Sequence, residues 1–305
     1  MTPLRRFASI TLRIIPFVLL LAAAAAGSAW WYLHPKVTET RGIVYGHRQG
    51  HDLTLAVVRP EHPSGIGILM MVSGGWKSDP SAFHPWEAAP LLRRGQTVIA
   101  VSHLSQPQAS VMDIVADAQR AVRFIRHHAA EYGIDPHRLG VVGASSGGHL
   151  SLMLATTGGP GDPAAADEVD RDDSSVQAAA VFFPVTDMID LGPSTENAHD
   201  HGPPIHFRQA FGPHGTDPAV WQHLGHDLSP IDHITAAMPP VSIIHGGADT
   251  LVPPDQSQRF QQRASEKGKK VELLIRPGKG HGWTTMMWDE TLLAQWLDEQ
   301  LGKKE

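Results

Sequence analysis

Short apolar runs alternate with helix-forming segments over most of this chain. Strands are predicted where apolar residues are nearly continuous, at residues 43–45, 53–58, 66–72, 97–102, 139–142, 178–183, 241–245 and 271–275. Helices are predicted between and after the later strands, at residues 82–94, 111–132, 146–156, 256–267 and 285–301. Buried strands that alternate with helices form a mostly parallel sheet with helices on both faces. The sequence therefore predicts an α/β fold.

The N-terminal segment has the pattern of a membrane-targeting helix. Residues 14–33 contain no charged residue, and Arg5, Arg6 and Arg13 precede them. A helix of this length is about 30 Å long, which matches the hydrocarbon core of a bilayer. The arginines favour the cytoplasmic side, so the body is expected in the periplasm or the extracellular space. Residues 1–35 are therefore predicted to be either an uncleaved signal anchor or a cleaved signal peptide.

Composition excludes several classes of protein. The chain has no cysteine, which excludes disulfides, thiolate metal sites and a cysteine nucleophile. Its formal net charge of −6 argues against binding to nucleic acid. Apolar residues make up 42% of the 305 residues, which is enough for a large buried core. Acidic residues are frequent at residues 158–175, which are predicted to form a solvated loop.

Residues 143–147 have the sequence Gly-Ala-Ser-Ser-Gly and fit the pattern G-x-S-x-G. They lie directly between a predicted strand and a predicted helix. This arrangement is typical of a sharp turn that exposes a nucleophilic serine at the edge of a sheet. Ser145 is therefore the predicted nucleophile, and its chemistry requires no cofactor and no metal.

A serine nucleophile needs a histidine base and an acid that orients the histidine. In hydrolases with this turn, the chain order is serine, acid, histidine. Asp249 and His281 each follow a predicted strand, at the end of a parallel sheet where ligands bind. They are the predicted acid and base. Asp187, which follows the strand at residues 178–183, is the reserve acid, although its surroundings also suit a turn.

Two backbone N–H groups are needed to bind the oxyanion that forms during acyl transfer. Ser146, which follows the nucleophile at the start of a helix, is predicted to supply one of them. Gly75 or Trp76, in the loop after the strand at residues 66–72, is predicted to supply the other. Glycine in that loop lets the backbone approach a substrate oxygen closely.

Five motifs together resemble the α/β-hydrolase superfamily, and within it the branch of feruloyl- and acetyl-esterase-like (BD-FAE-like) proteins. They are residues 73–76 (SGGW), 143–150 (GASSGGHL), 245–249 (HGGAD), 252–253 (VP) and 280–282 (GHG). The resemblance covers roughly residues 56–301. It implies an α/β-hydrolase fold, with a catalytic domain at residues 36–305 behind the N-terminal hydrophobic helix. It also implies hydrolysis of acetyl, feruloyl or other small carboxylic esters, including esters linked to carbohydrate.

The chain departs from this family in two places. The family's oxyanion motif is usually His-Gly-Gly-Gly-Trp, whereas Val72 and Ser73 occupy its first two positions here. Residues 191–238 are rich in histidine and lie between two predicted strands, outside the shared pattern. An insertion at this point is expected to form a lid over the site and to influence acyl or alcohol selectivity.

Two other functions stay open. The H-G-x-x-D-x-x-V-P pattern also occurs in prolyl-oligopeptidase-like peptidases, so a serine exopeptidase is the first alternative. A metal-binding module on the same fold is the second, with His199 and His201 or His223 and His226 as ligands. Clustered histidines in a polar segment more often face solvent. The sequence leaves the oligomeric state open.

Overall fold

The computed structural model describes the backbone of residues 3–302 and the side chains of residues 18–302. Within these residues eight strands form one sheet: β1 (Val37–Arg48), β2 (His51–Pro60), β3 (Gly67–Met71), β4 (Thr97–Val101), β5 (Leu139–Ala144), β6 (Ala178–Phe182), β7 (Val241–Gly246) and β8 (Val271–Arg276). Their order is β1-β2-β4-β3-β5-β6-β7-β8. β2 runs antiparallel to both of its neighbours, β1 and β4. The other six strands, β3 to β8, all run parallel to one another. The carboxyl ends of β3 to β8 therefore meet at one edge.

Helices cover both faces of the sheet. In chain order the helices are α1 (Pro3–Leu33), α2 (Ala89–Leu92), α3 (Val111–His127), α4 (Ala129–Tyr132), α5 (Ser146–Thr157), α6 (Pro218–Asp227), α7 (Asp255–Glu266) and α8 (Met286–Leu301), and those that cover the sheet include α2, α3, α5, α7 and α8. Apolar residues of α3, α5 and α7 belong to one buried cluster, and those of α2 and α8 belong to another. Ile68 and Leu69 of β3 fall in different clusters, so the clusters lie on opposite faces. The predicted α/β fold with a mostly parallel sheet is confirmed.

Two predicted helices are shorter than expected. The prediction at residues 82–94 is wrong in extent, because the structure has a 3₁₀ segment, Pro85–Ala88, followed by the single turn of α2. Proline has no N–H to donate, so Pro85 and Pro90 suit the first turn of a helix and not its interior. The predicted helix at residues 111–132 divides at His128, whose ψ of 14° interrupts the helix between α3 and α4.

The hairpin of β1 and β2 is much longer than predicted. Val37 pairs with Pro60 and Arg48 pairs with His51, so the ladder extends well beyond the apolar segments. The outer part of β1 is exposed and contains mostly polar residues, which the backbone ladder holds in the sheet. The pattern of apolar residues in the sequence therefore predicts only the part of this hairpin that faces the core.

The acidic segment at residues 158–175 is a largely irregular loop with many exposed residues, as its composition predicts, and it is also bound to α3. Arg120 donates hydrogen bonds to the carboxylates of Asp167 and Asp170, the latter at 2.6 Å. Arg126 donates to two backbone carbonyl oxygens of the same segment. Because the composition shows only the acids, the arginines that pair with them cannot be recognised without the fold.

The predicted membrane-targeting run covers residues 14–33 of α1. Side chains are described only from residue 18, so residues 14–17 of the run lie outside the described part. Among the residues whose side chains are described, none of the helices is both long and apolar enough to cross a bilayer.

Candidate active site

A strained turn at Ser145 joins β5 to α5. Ser145 has a φ of 55° and a ψ of −120°, a backbone conformation that residues with a side chain rarely adopt. The two elements approach so closely that a Cβ on Gly143 would lie 2.3 Å from the carbonyl oxygen of Gly147. A Cβ on Gly147 would lie 2.7 Å from the carbonyl oxygen of Met71. Both glycines of the G-x-S-x-G turn are therefore required by steric contact.

His281 lies between Ser145 and Asp249 at the carboxyl edge of the sheet. Its Nε2 is 2.9 Å from Ser145 Oγ, and its Nδ1 is 2.7 Å from Asp249 Oδ2. An ionised carboxylate only accepts hydrogen bonds, so Nδ1 donates and Nε2 is left to accept from the serine hydroxyl. The structure thus brings together three side chains that come from the ends of three different strands.

The Asp249 carboxyl group is buried and ionised. Burial alone would raise its pKa, but the nearby His245 ring, the hydrogen bond from His281 and the N–H of Val252 outweigh burial and hold the pKa well below the usual range. The carboxylate also accepts the N–H of Leu251 at 3.0 Å. A carboxylate that stays ionised keeps the His281 ring in one orientation and stabilises its protonated form.

Asp187, the reserve acid, lies in a different set of contacts. Its Oδ1 accepts the N–H groups of Ile189 and Asp190 at 3.0 and 2.8 Å, and its Oδ2 pairs with Arg259. It makes no hydrogen bond with His281 among the described residues. These contacts match the turn that its surrounding sequence suggests.

Three backbone N–H groups near Ser145 are free to bind an oxyanion. Gly74 donates its N–H to the carbonyl oxygen of Lys77, and this contact closes a tight turn. Within that turn Gly75 and Trp76 have φ values of 56° and 55°, and within the described residues their N–H groups donate to no protein acceptor. The N–H of Ser146 is the first of α5, so it has no helical partner. All three residues predicted for the oxyanion hole line the same pocket as Ser145 and His281.

A buried hydroxyl chain, which the sequence did not reveal, fixes this loop to α5. Ser73 Oγ lies 3.1 Å from Ser146 Oγ and 3.0 Å from His103 Nε2. His103 Nδ1 lies 2.8 Å from the carbonyl oxygen of Leu104, so Nδ1 carries the hydrogen, and burial lowers the pKa of the ring. Ser73 therefore donates to His103 and accepts from Ser146. The departure from the family motif at position 73 was the one signal of this contact.

A second buried histidine fixes the other end of the loop. Trp76 Nε1 donates to His149 Nδ1 at 3.2 Å, and His149 Nε2 lies 2.8 Å from the carbonyl oxygen of Leu228. Burial lowers the pKa of His149 to about 4, so the ring is neutral and uses one nitrogen as donor and the other as acceptor. Leu228 belongs to the segment at residues 191–238, which is thereby connected to the oxyanion loop.

The pocket over Ser145 has a volume of about 410 Å³. Residues 191–238 contribute five of its lining residues: Leu191, Ser194, Glu196, Pro204 and Phe207. The Phe207 ring packs edge-on against Trp76 at a centroid distance of 5.5 Å. The segment therefore forms part of the pocket wall, and its action as a lid stays a prediction.

Three histidines of this segment, His206, His226 and His233, pair through their rings with an acid or a carbonyl oxygen. His206 Nδ1 lies 3.0 Å from Glu196, and His226 Nδ1 lies 2.7 Å from Asp232. Over residues 18–302 there is no group of three or more His, Asp or Glu side chains that could hold a metal ion.

The strand-to-helix turn, the mostly parallel sheet and the position of Ser145, Asp249 and His281 define an α/β-hydrolase. The BD-FAE family model matches residues 58–264. The chain belongs to the BD-FAE family.

Several known proteins similar to this chain are esterases. A probable carboxylic ester hydrolase, LipM of Mycobacterium tuberculosis, is 31% identical over 67% of this chain and 46% of its own length. This chain thus spans about half the length of the curated relatives that it matches. A truncated carbohydrate esterase from gut microbiota has a TM-score of 0.71 at 27% identity, over 87% of this chain and 97% of that one. Thermogutta terrifontis esterase 2 phosphoramylated by tabun has a TM-score of 0.66 at 28% identity, over 88% and 96%.

Replacing Gly143 tests the steric requirement at the turn. Gly143→Ala places a Cβ against Gly147, and we expect a loss of about 3 kcal/mol in the free energy of unfolding. Gly159→Ala is the control, because a Cβ there meets nothing within 4 Å. Thermal and urea unfolding measure both variants. Equal stability of the two would contradict the close approach of β5 and α5.

Proposed function

We propose that this chain is a serine hydrolase of carboxylic esters that uses Ser145 as its nucleophile. The observation that carries the proposal is the continuous hydrogen-bonded path from Asp249 through His281 to Ser145. Membership of the BD-FAE family and similarity to esterases of known structure support the same activity.

The proposed reaction proceeds in two steps. His281 Nε2 takes the proton of the Ser145 hydroxyl as the oxygen attacks the ester carbonyl carbon. The N–H groups of Ser146 and of Gly75 or Trp76 stabilise the oxyanion. Protonated His281, stabilised by Asp249, then gives its proton to the departing alcohol, and an acyl-enzyme remains. Water activated by His281 hydrolyses the acyl-enzyme in the second step.

The substrate class that we propose is a small carboxylic ester, with acetyl or feruloyl esters on carbohydrate as the leading examples. One similar solved structure is a carbohydrate esterase, which supports this class. The proposed partners are therefore small molecules or ester groups on a polymer.

Removal of the nucleophile tests the activity. Ser145→Ala is expected to reduce hydrolysis of p-nitrophenyl acetate by at least about 10³-fold and to abolish labelling by a fluorophosphonate, read by intact mass. Ser146→Ala keeps the backbone N–H and should retain the label. Substantial turnover by Ser145→Ala would overturn the proposal. Faster cleavage of aminoacyl amides than of esters by the wild type would favour the peptidase alternative.

The identity of the acid is tested by a matched pair of substitutions. Asp249→Asn should lower kcat by about 10³- to 10⁴-fold, because the amide no longer fixes the tautomer of His281. Asp187→Asn, which removes a charge outside the hydrogen-bonded path, should change kcat less than about fivefold. Steady-state rates with p-nitrophenyl acetate measure both. A severe loss in Asp187→Asn with a mild one in Asp249→Asn would reverse the assignment.

We also propose that residues 1–35 direct the domain at residues 36–305 out of the cytoplasm. Three arginines followed by the uncharged run at residues 14–33 support this proposal. Cell fractionation should find the full chain in the membrane, periplasmic or secreted fraction, whereas residues 36–305 expressed alone should stay in the cytoplasm. Recovery of the full chain as a cytoplasmic protein would contradict it.

A further inference from the structure

A second cavity lies beneath the oxyanion loop, against α8. Its volume is about 570 Å³, within the usual range of small-molecule sites. Its walls are largely apolar, and they include Met70, Phe83, Leu91, Val142, Phe182 and Leu293. These residues come from β3, β5, β6, the region of α2, and α8. The cavity therefore opens at the same sheet edge as the active site, but on the face that α2 and α8 cover.

This cavity shares part of its wall with the pocket over Ser145. Ser73, Gly74 and Ala144 line both spaces. Ala144 directly precedes the nucleophile, and Ser73 and Gly74 begin the oxyanion loop. His281 lines the pocket over Ser145 and is absent from the lining of the second cavity. Ser145 itself lines only the first of these spaces, so the two adjoin at the residues beside the nucleophile, on the side of the oxyanion loop.

The position of His281 decides which half of an ester belongs in the second cavity. The alcohol leaves with a proton from His281 Nε2, so its oxygen must lie next to that atom. The acyl chain extends from the other side of the carbonyl carbon, away from His281. We propose that the second cavity holds the apolar acyl chain of a medium-length ester. This inference rests on the proposed function and extends its substrates beyond acetyl groups.

The charged residues that line the cavity are compatible with an apolar chain. They are Lys77, Asp79, Glu87 and Glu290. Lys77 and Asp79 are exposed, and Glu87 accepts the N–H of His84 at 2.8 Å. Burial and the nearby charge of Glu87 raise the pKa of Glu290 to about 8, so this carboxyl group is mostly neutral at pH 7. With Glu290 neutral, the carboxylate in this part of the wall is that of Glu87, which is stabilised by the N–H of His84.

Two isomeric esters separate the acyl side from the alcohol side. Methyl hexanoate carries its chain on the acyl carbon, and pentyl acetate carries it on the alcohol oxygen. In the wild type, kcat/KM should rise about fourfold for each methylene added between methyl acetate and methyl hexanoate, the equivalent of about 0.8 kcal/mol per buried CH₂. A flat or falling profile over this series would overturn the inference.

Blocking the cavity should remove this preference. Ala82 is exposed and lines the cavity, so Ala82→Trp narrows the opening without disturbing the core. We expect kcat/KM for methyl hexanoate to fall at least tenfold, and that for pentyl acetate and methyl acetate to stay within twofold. Leu293→Phe fills the interior and should act in the same direction. Ala166→Trp, on an exposed part of the acidic segment, is the control of equal size.

The outcomes distinguish this inference from the activity on which it rests. Loss of pentyl acetate hydrolysis alone in Ala82→Trp would place the alcohol in the cavity and contradict the inference. Unchanged rates for both isomers in Ala82→Trp and Leu293→Phe would show that the cavity takes no part in binding. Absence of both methyl acetate hydrolysis and fluorophosphonate labelling in the wild type would instead refute the proposed function itself.

Discussion

The contact between β5 and α5 is the constraint on which the rest of the site depends. Because Gly143 has no side chain, β5 and α5 come near enough for Ser145 to take a positive φ between them, and Gly147 in turn allows α5 to approach Met71 of β3. That conformation costs on the order of 1–3 kcal/mol, and the apolar packing of both elements offsets it. The same turn points the hydroxyl at His281 and leaves the N–H of Ser146 unpaired. The steric contact at Gly143 thus positions both the proposed nucleophile and one proposed oxyanion donor.

The parts of this arrangement that the sequence predicts are those with a local signal. The turn at Ser145 has fixed glycines, and Asp249 and His281 are recognisable because each follows an apolar strand. Their meeting follows from parallel topology, since β5, β7 and β8 end at the same edge. The length of β1 could not be predicted, because its exposed residues are mostly polar and carry no apolar pattern.

The features of the site that could not be predicted from the sequence are mainly contacts between polar residues far apart in the chain. Ser73 and His103 are thirty residues apart and lie on different strand ends, and neither has a distinctive neighbour. The hydrogen bonds of Arg120 to the acidic segment could not be predicted from composition for the same reason. Cavities are harder still to predict from a sequence. The space beneath the oxyanion loop depends on the distance between α8 and the strands β3, β5 and β6.

The attachment of the oxyanion loop through His149 has a consequence for the acid tolerance of the fold. The ring binds a proton readily in the unfolded chain, near pH 6.5, but in the folded chain only near pH 4. Between these values the unfolded state takes up more protons, so the folded state loses relative stability as the pH falls. Protonation in place would also deprive Trp76 of its acceptor, so acid weakens the loop's own anchorage. His149 therefore contributes to the acid sensitivity of this fold at the attachment of the oxyanion loop, apart from the reacting groups.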